Sequence, residues 1–145
     1  MAAVAKKINI GPTFSGGTGV EIAHVEYDFS VDGGATGALD LFEAGEDIVI
    51  THFHSKVMTA CTSGGSATLK VGVSGGTTDL FMNTTQGAVA SLTANAVVLP
   101  PAVEGTPNAL PLPYKLASGG KLIQTIGTAA MTAGKVKYVI GYVKA

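Results

Sequence analysis

Two long runs of β-branched and aromatic residues, separated by a short Ser/Thr/Gly cluster, occupy residues 47–81. The first run reads D-I-V-I-T-H-F-H-S-K-V-M-T-A-C and the second reads A-T-L-K-V-G-V, with T-S-G-G-S between them and S-G-G-T-T after them. Val, Ile, Thr and Phe favour the pleated surface of a strand, whereas glycines supply the positive φ angles that tight turns require. The stretch therefore predicts a β-hairpin, with two strands joined by a tight loop.

Alternating apolar and polar residues extend this strand pattern over most of the remaining chain. In V-E-I-A-H-V-E-Y-D-F-S-V, at residues 20–31, Val25 and Tyr27 share one face while His24 and Glu26 share the other. Further strands are predicted over residues 38–42, 79–83, 87–92, 114–117, 121–126 and 135–143. Residues 97–103 contain Pro100-Pro101, which cannot donate to a ladder, so this stretch is expected to be an edge strand or a crossing loop. About nine or ten short strands without a helical period predict an all-β fold, an antiparallel β-sandwich most consistent with a jelly roll.

The domain organisation follows from length and from the positions of proline and glycine. A chain of 145 residues fits one domain, which we place at residues 20–145 as a single β-sandwich. Met1–Gly19 contains Pro12 and a G-G-T-G run, and we expect it to form an extended N-terminal arm. Val103–Pro113 is rich in proline and is expected to be a long connection that crosses between the sheets.

Composition excludes some classes of partner and favours another. Only 13% of the residues are charged, about half the ~25% usual in soluble domains, while 46% are apolar. We expect the excess apolar surface to be covered in a subunit interface or a larger assembly, since no apolar run reaches the ~20 residues of a membrane helix. The nine cationic residues are all lysines and the net charge is −1, which argues against nucleic acid as a partner.

Two histidines two residues apart provide the sharpest chemical hypothesis. His52 and His54 are expected to project from one face of a strand, a spacing that zinc and iron sites use. His24 could add a third nitrogen and Glu26 an oxygen, as in a cupin-like metal protein. The alternation places Ile48, Ile50 and Met58 on that same face, however, and no second ligand cluster follows downstream. A structural histidine pair is therefore the favoured interpretation, with no metal and no cofactor.

The sequence offers no catalytic constellation, and we expect the protein not to be an enzyme. Asp40 and Glu43 lie near a turn, where solvated carboxylates are ordinary, and no G-x-S-x-G elbow accompanies the serines. Cys61 is the one cysteine and lies inside an apolar run, which predicts a buried thiol. The N-terminus M-A-A-V-A-K-K lacks the continuous apolar core of a secretory signal, so we expect synthesis and retention in a cytoplasm.

Several segments resemble, in sequence as well as in pattern, a family of small tailed-bacteriophage virion proteins encoded near the major capsid protein. They cover roughly a third of the chain: T-S-G-G-S-A-T-L at residues 62–69, V-G-V at 71–73, D-L at 79–80, and M-T-A-G-K-V at 131–136 leading to Tyr138 and Tyr142. The resemblance implies a capsid decoration, or cement, protein with a jelly-roll-like body. No functional residue of the family is carried over to this chain.

The resemblance implies that the protein forms a homotrimer and that its partner is the major capsid protein. Such a trimer would sit on the outer surface of the expanded head, over the threefold junctions between capsomers, and would stabilise the virion after synthesis in the host cytoplasm. An alternative is a phage head-fibre or tail-associated β module that binds carbohydrate. Exposed aromatic side chains at loop tips would favour that alternative, and Tyr114 is the one candidate.

Overall fold

The computed structural model describes residues 20–101 and 111–145, and these form two antiparallel sheets. The expected N-terminal arm, Met1–Gly19, and most of the proline-rich connection lie outside the described residues. The elements are β1 (Glu21–Asp28), α1 (Phe29–Asp32), β2 (Gly37–Glu43), β3 (Ile48–Ser63), β4 (Thr68–Val73), a 3-10 turn (Val89–Ser91), β5 (Val97–Val98), β6 (Tyr114–Leu116), β7 (Lys121–Gly127) and β8 (Met131–Lys144).

The strand order is that of a jelly roll. One sheet runs β1-β8-β3-β5, with β6 also pairing with β3, and the other runs β2-β7-β4. The pairing is nested, because β1 pairs with β8, β2 with β7 and β3 with β6, while bridges Val71–Met82 and Thr68–Ala88 close the outer edge of β4. The predicted antiparallel β-sandwich is confirmed. In these two described stretches no helix is long and apolar enough to cross a membrane.

The predicted hairpin is wrong in its pairing. β3 and β4 do form at the expected places, but they belong to different sheets, and the loop at residues 64–67 carries the chain from one sheet to the other. The physical reason is that both edges of β3 are already bonded. β8 pairs along one side, and the other side bonds to β6, to β5 and, nearest the loop, to the backbone carbonyls of Ala96 and Leu92. β4 pairs with β7 instead.

Other strand boundaries differ from the predictions for local reasons. β1 ends at Asp28, whose carboxylate accepts a hydrogen bond from Ser30 N and caps α1, so Val31 leaves the strand and is 75% exposed. The predicted strands at 79–83 and 87–92 reduce to the two isolated bridges to β4. β8 begins at Met131, before its predicted start at Lys135, and Met131 pairs with Ser63.

Alternating side chains from both sheets fill one hydrophobic core. Val136, Tyr138, Ile140 and Tyr142 on β8 point inward, as their spacing predicted, and all four are buried. The rings of Phe53 and Phe81 stack with centroids 4.8 Å apart in the middle of the core. Burial of such side chains contributes about 1.5–3 kcal/mol each to folding, so the inward face of the five-stranded sheet is fixed by its sequence pattern. Its outward face remains available for other contacts.

Candidate docking surface

The outward face of the sheet β1-β8-β3 gathers all three histidines of the chain. Inward residues alternate with outward ones on each strand, so His24 on β1 and His54 on β3 both flank Val139 of β8. In the next row, Ile22 and His52 flank Gly141. We call this surface the histidine face, and it comprises Val20, Ile22, His24, Glu26, His52, His54, Lys56, Met58, Val97, Lys137, Val139 and Gly141.

A β-bulge at Thr51 turns the two histidines of β3 outward. Ile50 pairs with Tyr142 and His52 pairs with Gly141, so β3 advances two residues while β8 advances one. The Thr51 hydroxyl donates a hydrogen bond to the carbonyl oxygen of Gly141, at 3.4 Å. The expectation that His52 and His54 share a face with Ile48 and Ile50 is therefore wrong. Those isoleucines are fully buried on the inward side of the sheet.

His52 and His54 contact each other directly. His52 Nε2 and His54 Nδ1 are 2.8 Å apart, so one ring donates a hydrogen bond to the other, and the rings meet edge to face with centroids 5.0 Å apart. Partial burial lowers the pKa of His54, and the neighbouring His52, His24 and Lys137 lower it further. The His54 ring is therefore neutral at neutral pH, which suits a hydrogen-bonded pair.

The structure brings together two of the three histidines considered as metal ligands. His24 lies across Val139 from His54, one strand further away, and Glu26 contacts Lys135 at 3.8 Å. In the parts of the chain that the structure describes, no group of three or more His, Cys, Asp or Glu side chains could hold a metal ion. The interpretation of His52 and His54 as a structural pair stays a prediction.

Gly141 allows the close packing of the histidine face. A Cβ atom at this position would lie 2.9 Å from His52 Cβ and 3.6 Å from Val20 Cγ1. Since His52 and Val20 converge over the bare backbone of Gly141, a side chain there would displace them.

Charged side chains lie beside the histidines in the next two rows. Lys137 lies directly between Glu26 and Lys56, so two lysines face each other across neighbouring strands. Like charges directly opposite each other on a sheet are unfavourable. One row further, Lys135 contacts Asp28 at 3.1 Å, and the hydrogen bonds from Ser30 and Lys135 lower the pKa of Asp28 to about 2. The excess positive charge is thus concentrated at Lys56 and Lys137.

Large exposed apolar side chains lie around the histidines. The sequence predicted excess apolar surface but not its position on the molecule. Ile22 is 65% exposed and Leu99, just beyond β5, is 61% exposed; Val20, Met58 and Val97 are also exposed. Val97 and Leu99 line an open groove of about 440 Å³ together with Gln86, Ala96 and Pro100. The low charge content signalled such a surface, but only the pairing of the strands locates it on one face.

The remaining candidate residues have structural surroundings. Cys61 is buried, as predicted, and burial raises the pKa of its thiol to about 11. The ring of Tyr114, the aromatic side chain considered for sugar binding, is half-buried and packs edge to face against Phe81 with centroids 6.0 Å apart. Asp40 forms an ion pair with Lys121 at 3.1 Å. Each of the three residues therefore has a place in the packing or the ion pairing of the fold itself.

Solved structures from phage capsids share this fold. A chain of the Ralstonia phage GP4 capsid has a TM-score of 0.64 and 15% identity, with 98% of this chain and 99% of that chain covered. A chain of the cyanophage Pam1 capsid asymmetric unit has a TM-score of 0.60 and 14% identity, covering 95% and 94%. A chain of the acid-stable capsid of Helicobacter pylori bacteriophage KHP30 gives 0.56 and 14%, covering 86% of each. No protein-family model matches the sequence, and no curated protein matches it.

Proposed function

We propose that this chain is a structural, non-enzymatic protein of a phage virion that binds the outside of the capsid as a homotrimer and stabilises the expanded head. The observation that carries the proposal is a jelly roll shared along nearly its whole length with chains from three phage capsids. The exposed apolar side chains on one sheet face add a second, independent argument, because large exposed apolar patches mark sites of protein association.

The mechanism requires no chemistry beyond binding. A protein that binds the expanded lattice, and not the disassembled subunits, stabilises the lattice by about 2.7 kcal/mol per site when present at 100 times its dissociation constant. Three equivalent contacts in a threefold trimer act as one multivalent ligand, so each contact can be modest. Over many sites, these contributions oppose the internal pressure of packaged DNA and thermal opening of the shell.

The first experiment measures the native mass of the purified protein by light scattering on a size-exclusion column. We expect three times the 14.5 kDa of one chain. A monomer at micromolar concentration would contradict the trimer. The second experiment mixes the protein with expanded heads, assembled from the major capsid protein of the same phage genome, and measures co-sedimentation and the opening temperature of the heads. We expect saturable binding and a higher opening temperature, and the absence of both would refute the proposed function.

A further inference from the structure

The distribution of exposed apolar side chains points to one face of the molecule. Of the six large apolar side chains that are exposed in the described stretches, Val20, Ile22, Met58 and Val97 lie on the histidine face and Leu99 lies in the groove at its edge. The sixth, Val31, lies on α1. Because the inward side of this sheet is filled by its own core, only the outward side can be covered by a partner.

The charge of the histidine face indicates the chemistry of that partner. Lys56 and Lys137 are directly opposite each other, and the nearest carboxylate in their row is Glu26, on the far side of Lys137. Glu26 already contacts Lys135 at 3.8 Å. A partner that presents carboxylates to this row would relieve the repulsion between the two lysines, while its apolar side chains would cover Ile22 and Val97.

A second copy of the chain fits this requirement poorly. Face-to-face contact would bring lysines and histidines against the same groups. The carboxylates elsewhere on the molecule are largely engaged within their own chain, since Asp40, Glu46 and Asp47 contact Lys121, Lys144 and Lys115 at 3.1, 3.3 and 4.0 Å. Glu21 accepts a hydrogen bond from the hydroxyl of Tyr142 at 2.8 Å. Charge complementarity therefore favours a different protein.

We propose that the histidine face is the surface that docks on the shell, and that it binds an apolar, carboxylate-bearing surface of the major capsid protein. This inference depends on the proposed function, because it assigns that docking to one face of the jelly roll. Apolar contact through Ile22 and Val97 supplies affinity, and Lys56 and Lys137 supply orientation and a dependence on salt.

The test compares Ile22→Asp and Lys56→Glu with Val31→Asp, a matched control at an exposed apolar position away from the face. Affinity for expanded heads is measured by co-sedimentation, and folding and native mass are measured on the free proteins. We expect the two face variants to bind heads about tenfold more weakly or worse, with unchanged native mass and no fall in melting temperature, while Val31→Asp binds like the wild type. We also expect added salt to weaken the wild type more than Lys56→Gln.

Three other outcomes are possible, and each would contradict a different part of the proposal. If the face variants bind heads as tightly as the wild type, the assignment of the face is overturned while the proposed function stands. If the variants lower the native mass, the face is a contact between copies of this chain, and the shell is not its occupant. If the wild type fails to bind heads, the proposed function is refuted, and this docking surface with it.

Discussion

His54 responds to pH through its position within the histidine face. Partial burial lowers its pKa below the ordinary value of 6.5, and His52, His24 and Lys137 lower it further. The unfolded chain then binds a proton more readily than the folded chain, so this site lowers the stability of the fold as pH falls below 6.5 and through the pKa of the folded state. Above 6.5 both states carry a neutral ring, and the contribution is independent of pH.

We therefore predict that His54→Asn reduces the loss of stability on acidification. Urea unfolding at pH 7.5 and at pH 5 gives the change in midpoint for each protein, and the change should be smaller in the variant. Carboxylates contribute little to this interval because most of them titrate below it. An equal change in midpoint for both proteins would show that the His54 ring exchanges protons alike in the folded and unfolded states.

A residue-scale event also explains why the histidine face could not be predicted. The alternation from Ile48 through His52 and His54 is uninterrupted in the sequence, so it places isoleucines and histidines together. One extra residue at Thr51 reverses the orientation of the residues that follow it as far as Val57, where the next register shift occurs. Thr is ordinary in strands, and only the pairing with β8 shows that the bulge occurs there. The hydrogen bond between the two rings follows from the same pairing.

At the scale of strands, Gly87 allows the segment that follows Met82 to pack against the outer edge of β4 in place of a regular strand. Leu69 N donates a hydrogen bond to Gly87 O at 2.8 Å, and a Cβ at Gly87 would lie 1.7 Å from the carbonyl oxygen of Leu69. That contact is with backbone, which cannot rotate away. The segment after Met82 can therefore cover β4 only if residue 87 has no side chain.

We predict that Gly87→Ala destabilises the protein by about 2 kcal/mol or more, which corresponds to a fall in melting temperature of roughly 4–8 °C. Gly64→Ala is the matched control, because a Cβ at Gly64 meets no atom within 4 Å. Thermal unfolding followed by circular dichroism compares the two variants. Similar melting temperatures for both would mean that the segment at Gly87 moves aside at little cost.

The strands themselves were largely predictable, whereas their pairing was not. Residues 114–116, 121–127 and the alternation of Val136, Tyr138 and Ile140 match the predictions, because one buried face imposes a period of two. The residues of the connection at 64–67 are common both in hairpin turns and in loops that cross between sheets, so they do not distinguish the two. What decides between them is the occupation of both edges of β3 by distant strands, and no local signal encodes that.

At the scale of the whole molecule, a buried hydrogen bond joins the two sheets. The hydroxyl of Tyr138, on β8, donates to Gln124 Oε1, on β7 in the opposite sheet, and both side chains are fully buried. Burial raises the pKa of Tyr138 well above its ordinary value, so the hydroxyl keeps its proton. Removing one partner leaves the other buried without its bond, which costs about 1–3 kcal/mol.

We accordingly predict that Tyr138→Phe and Gln124→Leu each destabilise the protein by about 1–3 kcal/mol, and that the double variant loses less than the sum. Tyr114→Phe serves as the control, because that side chain is only half-buried. The free energy of unfolding in urea supplies all four values for the cycle. Additive losses would show that the two polar groups do not depend on each other.

Met1–Gly19 is expected to form an arm that lies on a neighbouring molecule. Among the residues that the structure describes, the buried core begins at Ala23, so a chain that starts at Val20 retains every one of these core residues and should fold with a nearly unchanged melting temperature. The deleted segment carries Lys6 and Lys7, has no acidic residue, and joins the chain beside the histidine face. An extended segment of this length spans up to about 60 Å, enough to reach a neighbouring subunit.

We predict that this deletion lowers the native mass or weakens binding to expanded heads, because contacts made by the arm on a neighbour would be lost while the β-sandwich persists. Size-exclusion light scattering and co-sedimentation with heads provide the two measurements, and circular dichroism confirms folding. A variant in which Lys6 and Lys7 are both changed to Gln separates charge from length, since it keeps the chain intact. An unchanged native mass with unchanged binding would assign assembly and docking wholly to residues 20–145.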